Sequence, residues 1–482
     1  MNEKQVRKSC ALVLVIYVVL ALGFYWVSGD QLRFKDEETD AISAAGPIGE
    51  LVQGMEMRQL FTTQADEILS VDMLLSTYQR VNTSHVVVEL QDSGGHVLAH
   101  TELNGSEIED NAVRTVSFVQ PVTVTPGEQY TLVLTSPDGA PGNAITAWQG
   151  STMSTARAEV PVEVTQPLLV NGEAREGMLH FSLHTRSYLW FGTYYWYLVL
   201  VAGLLLAGYC VYLCLTVRRG KNCLALRVIS AFQRYGYLMR QLVARDFKTK
   251  YKRSVLGVLW SFLNPLLTMM VQYIVFSTLF KSDIPNFRLY LLSGIVCFNF
   301  FSEATTMGLQ SIVGNAALIT KVYVPKYIYP VSRVFSSTIN LLLSLIPLLA
   351  VMLLTGTPVR PAVLLLPFGL ICLVGFCIGM SFILSTLMVF FRDTQFLWGV
   401  VSMLWMYATP IFYPESIIPI RYMAIYKCNP MYHIIRFIRI VLMDGISPEP
   451  KAYALCLIAS FVPLLVGAVI FKKNQDKFVL NL

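Results

Sequence analysis

"YKRSVLGVLWSFLNPLL", residues 251–267, changes solvent within a few positions. Lys250, Lys252 and Arg253 run directly into an apolar stretch that carries Trp260 and Pro265. Gly257 permits a tight entry and Trp260 suits headgroup depth. Pro265 is tolerated one turn inside a membrane, where neighbouring helices satisfy the backbone it frees. The stretch reads as a junction: a chain lying along an inner membrane surface turns here into a span.

Upstream of the junction the pattern continues. Residues 218–253 hold eleven cations (Arg218, Arg219, Lys221, Arg227, Arg234, Arg240, Arg245, Lys248, Lys250, Lys252, Arg253) and one acid, Asp246. Phe232, Tyr235, Leu238, Met239, Leu242 and Val243 recur at helical spacing. A basic helix with one apolar stripe lies in the plane of an interface, its cations toward lipid headgroups. A plain anchor gives the same pattern. Joined rigidly to the first span of a bundle, it is also placed to transmit force from a cytoplasmic partner.

The rest of the chain agrees that membrane is the solvent. Only 14% of 482 residues are charged and 54% are hydrophobic, where a soluble protein carries about a quarter charged. Runs of roughly 20 apolar residues, enough for a span, occur near 9–28, 188–217, 256–280, 289–312, 329–355, 361–391, 395–413 and 452–471. The expectation is a polytopic α-helical membrane protein of about eight spans. Lys4, Arg7 and Lys8 precede the first run, which is longer than a signal core, and residues 1–29 read as a retained transmembrane anchor.

Charge divides by region. Residues 30–186 hold 22 acids and 8 bases, while the remainder holds 29 bases and 9 acids. The positive-inside bias puts both termini in the cytoplasm and 30–186 outside the plasma (inner) membrane. Within that segment "HVVVELQ" (85–91), "AVRTVSFV" (112–119) and "QYTLVLT" (129–135) alternate apolar and polar residues between turn sequences. This predicts an inserted extracytoplasmic β-sandwich-like domain, with one short helix near 64–78. Tyr78, Tyr130 and Trp148 read either as core or as a sugar-binding surface. The nine cysteines all lie outside this segment and no metal-type Cys/His spacing occurs, so neither disulfides nor a bound metal are expected.

Four blocks carry a family resemblance: 245–267, "FNFFSEATTMGLQSIVGNAALITKVYVPKYIYPVSRV" (298–334), "FFRDTQFLWGVVSMLWMYATPIFYP" (390–414) and "NPMYHIIRFIRIVLMDG" (429–445). Together, in order and spacing, they resemble the permease subunit of ABC-type exporters of O-antigen, capsule and teichoic-acid polymers. The resemblance covers about 230–482. It implies a six-span type-2 permease core (256–482) entered from the basic interface helix (218–255). The first half departs from the family, whose members begin shortly before that helix: here the anchor, the outer domain and a second transmembrane helix (187–217) precede it. The resemblance also implies a homodimer, a lipid-linked polysaccharide as cargo and a separate ATPase chain that holds ATP and Mg. No G-x-x-x-x-G-K-[ST] occurs in this chain, which fits that separation. No cofactor, catalytic residue or nucleic-acid partner is expected.

By that resemblance the loop 313–328 is a coupling segment against the ATPase, with Asn315, Lys321, Val324, Pro325 and Lys326 as contacts. An ordinary positive-inside loop would look alike. Arg392 and Asp393, at an inner edge, pair locally or with the ATPase. Tyr273, Phe276 and Phe280 share one helical face, and Trp398 and Trp405 another, with Tyr407 and Phe412 further out. They read as channel lining or as bundle packing. Residues 414–446 are too apolar for a free loop and too broken by Pro414, Pro419 and Pro430 for a span, so a re-entrant helical pair is expected. It carries Glu415 with Arg436 and Arg439, cations placed to meet a substrate phosphate or to snorkel to headgroups. Glu303 sits inside a span, where an acid needs a partner, and Arg333 is the expected one.

Rival functions remain at this point. A surface sugar-binding receptor, with the spans as mere anchors, is opposed by the six extra spans and their basic inner face; two others stand. One is an ABC exporter of a drug or simple lipid. The other is a membrane-embedded glycan-modifying enzyme, which needs a catalytic pair that the six histidines, five of them in 30–186, do not supply.

Overall fold

A computed structural model describes residues 3–39, 44–150, 163–164, 167–219, 223–252, 255–280, 286–321 and 324–481. The chain forms two compact units, one of residues 1–31 with 196–482 and one of residues 32–195.

The smaller unit is β-rich. One sheet runs in the order β1 (Phe34–Glu38), β14 (Phe181–Tyr188), β4 (Glu67–Ser76), β9 (Thr146–Gly150), β13 (Met178–Leu179), with β2 (Ala44–Pro47) on β9 and β7 (Ala112–Thr123) on β4. The other runs β12 (Glu173–Arg175), β11 (Leu168–Val170), β3 (Glu56–Thr62), β8 (Gln129–Thr135), β5 (His85–Gln91), β6 (Val97–Asn104), with β10 (Glu163–Val164) on β3. Phe61, Ile68, Val71, Met73, Val86, Val88, Leu132 and Leu183 fill one core between them. The helix expected near 64–78 is absent. Residues 67–76 are a strand, because Val71, Met73 and Leu75 alternate inward toward that core. Tyr130 is buried and Tyr78 is exposed, while Trp148 is half-buried with its indole N–H unpartnered. The unit ends in a single turn, α2 (Trp190–Thr193).

The larger unit is helical: α1 (Glu3–Arg33), α3 (Tyr195–Arg218), α4 (Leu224–Tyr251), α5 (Trp260–Phe280), α6 (Phe287–Leu309), α7 (Ala316–Lys321), α8 (Ile328–Leu354), α9 (Leu366–Phe390), α10 (Thr394–Tyr407), α11 (Ile420–Lys427), α12 (Pro430–Arg439), α13 (Pro450–Asn474) and α14 (Phe478–Asn481). Every expected span is represented by a helix. Among the described residues six helical segments have the length and apolarity to cross a membrane: 6–33, 195–218, 257–277, 328–354, 361–390 and 450–481. The other two depart from expectation for separate reasons. α6 has 23 residues but carries Asn299, Ser302, Glu303, Thr305 and Thr306. α10 has only 14 residues, about 21 Å against a core of about 30 Å. The chain turns after Tyr407 instead of continuing to 413. Beyond it α11, α12 and a π-helical turn (Ile440–Asp444) form the broken helical pair.

α6 sits in the middle of the bundle, with Leu289, Leu291, Leu292 and Phe301 fully enclosed. Phe301 stacks on Phe376 at 5.3 Å and meets Trp405 edge-on at 5.2 Å. α9 and α13 approach at glycine: a Cβ on Gly467 would stand 2.3 Å from the Gly379 carbonyl oxygen. Small residues let backbones close where no hydrophobic force drives helices together. α1 packs along α3 through Tyr17, whose hydroxyl donates to the Val199 carbonyl at 2.7 Å.

Candidate functional site

The apolar stripe of α4 does not lie free. Tyr235, Leu238, Met239 and Leu242 pack with Ile312, Ile319, Ile328, Phe471 and Phe478 in a cluster at one end of the bundle. Arg234, Arg240 and Lys248 point outward. The periodicity that suggested a surface helix therefore marks the face that α4 lays on protein. Arg253 and the side chain of Phe232 lie outside the described residues.

Two polar clamps fix the C-terminal end of α4. In the first, the Asp246 carboxylate is 4% exposed and lies 3.1 Å from Arg245 Nη2 and 3.0 Å from Arg333 Nη1 on α8. Arg245 reaches on to Asn315 Oδ1 at 3.3 Å, and Asn315 Nδ2 donates to the Ser311 carbonyl at 2.7 Å. In the second, Lys250 Nζ donates to Glu303 Oε1 at 2.8 Å, and Asn340 Nδ2 donates to the same oxygen at 2.7 Å. The Tyr251 hydroxyl donates to Asn340 Oδ1 at 3.0 Å and lies 2.5 Å from Ser261 Oγ. These groups border a cleft of about 230 Å³ lined by Trp260, Asn264, Asn299, Glu303, Asn340 and Ser344.

The pairing of Glu303 with Arg333 is thus corrected. Each takes its partner from α4 instead: Glu303 takes Lys250 and Arg333 takes Asp246. Positions 246 and 250 are one helical turn apart, and the two clamps receive them on different helices. Asn340, Tyr251 and Ser261 were not foreseen. Ser261 is a lone polar residue in an apolar run, whereas Tyr251 stands among Lys248, Lys250 and Lys252 and Asn340 follows Ser336, Ser337 and Thr338, so neither stands out in the sequence.

The loop after α6 is less available than its charge suggested. Asn315 is buried, and Val324 packs against the same end cluster. Lys326 Nζ donates to the Gln475 carbonyl at 2.5 Å and stands over the Phe478 ring, so it ties the loop to the C-terminal segment. Lys321 is exposed, Pro325 is half-buried, and Arg392 and Asp393 are exposed at the α9–α10 turn.

Trp398 and Trp405 pack inward. Trp398 is buried against Phe301, and Trp405 Nε1 donates to Asn429 Oδ1 at 2.8 Å. Asn429 also caps α12, accepting from the Met431 N–H at 3.0 Å. Trp405→Phe drops this bond and trims the indole that packs on Phe301 and Phe376. The expected loss is about 1–3 kcal/mol, read as a fall in thermal midpoint of the purified protein. Phe276 stacks on Phe412 at 5.3 Å, Tyr273 lies under Arg288, and Tyr407 is exposed. The side chain of Phe280 lies outside the described residues.

The cations of the broken pair part company. Arg439 is buried and donates to the carbonyls of Pro410, Tyr290 and Ile411, with its guanidinium 3.4 Å over the Tyr290 ring. It is a strut between α6, the 408–411 turn and α12, and is enclosed away from any phosphate. Arg436 stays half-exposed near Glu415 and the Tyr432 hydroxyl.

Residues 237–443, which hold both clamps and the broken pair, match the ABC-2 type transporter family. An O-antigen export system permease protein RfbA of Klebsiella pneumoniae is 34% identical over 249 residues, 50% of this chain and 95% of that protein. The chain belongs to the ABC-2 type transporter family. An RfbA of Myxococcus xanthus is 29% identical over 256 residues, 52% of this chain and 98% of the relative. A polysialic acid transport protein KpsM of Escherichia coli is 21% identical over 252 residues, 51% and 97% of the two chains. This ABC-2 chain is a multi-pass membrane protein, and the family implies an ABC ATPase partner.

Proposed function

We propose that this chain is the permease subunit of an ATP-driven exporter of a lipid-linked cell-surface polysaccharide. The similarity to O-antigen and polysialic acid permeases over nearly their whole lengths carries this reading. ATP and Mg bind a separate ATPase, and this chain does no covalent chemistry. Both termini are cytoplasmic and the β unit is outside, as the charge split supports.

Two copies form the pathway. α5 presents Leu267, Met270, Val271 and Ile274 outward, and α10 presents Phe396, Leu397, Val400, Leu404 and Tyr407. These faces meet a second copy or lipid. Because Trp398 and Trp405 are turned into the protein, the pathway wall draws on Tyr407 and its exposed neighbours. The partner ATPase acts on the end that carries α4, α7 and α14. The clamps pass that movement to α5, α6 and α8 as rigid-body rotation.

Lys321→Glu tests the docking end. It reverses an exposed charge, so the thermal midpoint should hold while ATP-driven export falls several-fold. Export equal to wild type would remove Lys321 from the ATPase contact. The function itself is tested with inverted membrane vesicles holding the chain and its ATPase, by following ATP-dependent uptake of labelled lipid-linked polymer. Uptake of a small amphiphile but no polymer would overturn the cargo.

A further inference from the structure

The β unit carries a set of side chains apart from the clamps and the broken helical pair. Among the described residues, Glu38, Asp72 and His184 bring one potential ligand atom each to within 4.8 Å of one another. They come from three neighbouring strands of one sheet, β1, β14 and β4. Glu38 is the direct antiparallel partner of His184 on β14. Asp72 sits one diagonal step away, because His184 pairs with Ser70 and Asp72 pairs with Ser182. Val71, Met73 and Leu183 turn into the core, so alternation puts Asp72 and His184 on the opposite, outer face.

The local chemistry is unfinished. His184 Nε2 lies 2.9 Å from Asp72 Oδ2. The other oxygen, Asp72 Oδ1, is buried and has no hydrogen-bond partner. A buried carboxylate oxygen without a donor carries a desolvation cost. A cation that Asp72 holds through both of its oxygens removes it. Two ligands each about 2.0 Å from one zinc ion stand about 3.3 Å apart in a tetrahedron, close to the separation already present. Glu38 is exposed and on a register position facing His184, so rotation of its side chain supplies a third ligand. Water completes the set.

We propose that Glu38, Asp72 and His184 form a binding site for a divalent cation of the zinc class, stapling β1, β14 and β4 on the outer face of their sheet. One imidazole and two carboxylates select a borderline ion over calcium or magnesium, which take oxygen sets. No Cys/His spacing announced the site, since its ligands are 34 and 112 residues apart along the chain. The inference is independent of the transport reading.

The test uses the full-length protein in detergent, stripped with chelator and dialysed against zinc chloride, with metal counted per chain by mass spectrometry. The expected result is one more zinc per chain in wild type than in His184→Ala, with affinity lowered at least about tenfold in Asp72→Asn. Glu38→Gln alters an exposed side chain. It should weaken binding and keeps the test readable if His184→Ala fails to fold. Equal zinc in wild type and all three variants would overturn the site, leaving Asp72 and His184 as a bare ion pair. Retention of calcium as tight as zinc and indifferent to His184 would overturn it too.

Discussion

Asp246→Ala should cost about 3–5 kcal/mol of stability and abolish export. The Asp246 carboxylate is enclosed between two arginines, and Arg333 is itself only 22% exposed. Removing the acid strands Arg333 in the bundle without a counter-charge. Most of the cost lies there, not in the lost attraction. Replacing both partners by apolar residues removes that penalty. Asp246→Leu with Arg333→Leu should therefore recover most of the thermal midpoint that Asp246→Leu alone loses. Export should stay low in the double variant if the charges hold α4 in the register that transmits force. A midpoint unchanged in Asp246→Ala, measured by intrinsic fluorescence on heating in detergent, would mean the triad holds nothing.

The second large effect falls on Lys250 and Glu303. Lys250→Glu sets two carboxylates where a salt bridge of 2.8 Å stood. Export should fall by at least about tenfold, since like charges at that distance repel by several kcal/mol at an effective dielectric near 20. The reciprocal pair, Lys250→Glu with Glu303→Lys, restores the attraction. Recovery should be partial, because Asn340 Nδ2 donates to Glu303 and would face an ammonium. A double variant no better than Lys250→Glu would show that Glu303 acts through Asn340 alone. Rates of surface polymer appearance after induction give the comparison.

Much of this architecture is legible in the chain. Hydrophobic run length marks the helices, period-two alternation marks most strands, and the acid-rich 30–186 stands apart from its basic surroundings. What fails to show is tertiary. Glu303 and Arg333 look like natural partners because both are lone charges in apolar runs. The partner each finds depends on how α4 crosses α6 and α8, which no local pattern states. The stretch 64–78 mixes Asp66, Glu67 and Asp72 with apolar residues in a spacing that serves a helix or a strand. Membership in a sheet with β7 and β14 settles it. Arg439 reads as a surface cation by type. The carbonyls freed at Pro410 and Ile411 by the turn after α10 are what draw it inside. Lys326 is similar: its partner, the Gln475 carbonyl, is 149 residues away.

The central proposal is that two copies of this chain, driven by a separate ATPase, export a surface polysaccharide. The most direct measurement is purification of the chain from its native membrane in mild detergent. Mass spectrometry would identify what accompanies it, and surface polymer would be scored in a deletion strain. The account predicts a stoichiometric ATPase carrying a phosphate-binding G-x-x-x-x-G-K-[ST] loop, and a surface that loses polymer on deletion and regains it on complementation. A chain recovered without any ATPase, together with unchanged surface polymer in the deletion strain, would contradict it.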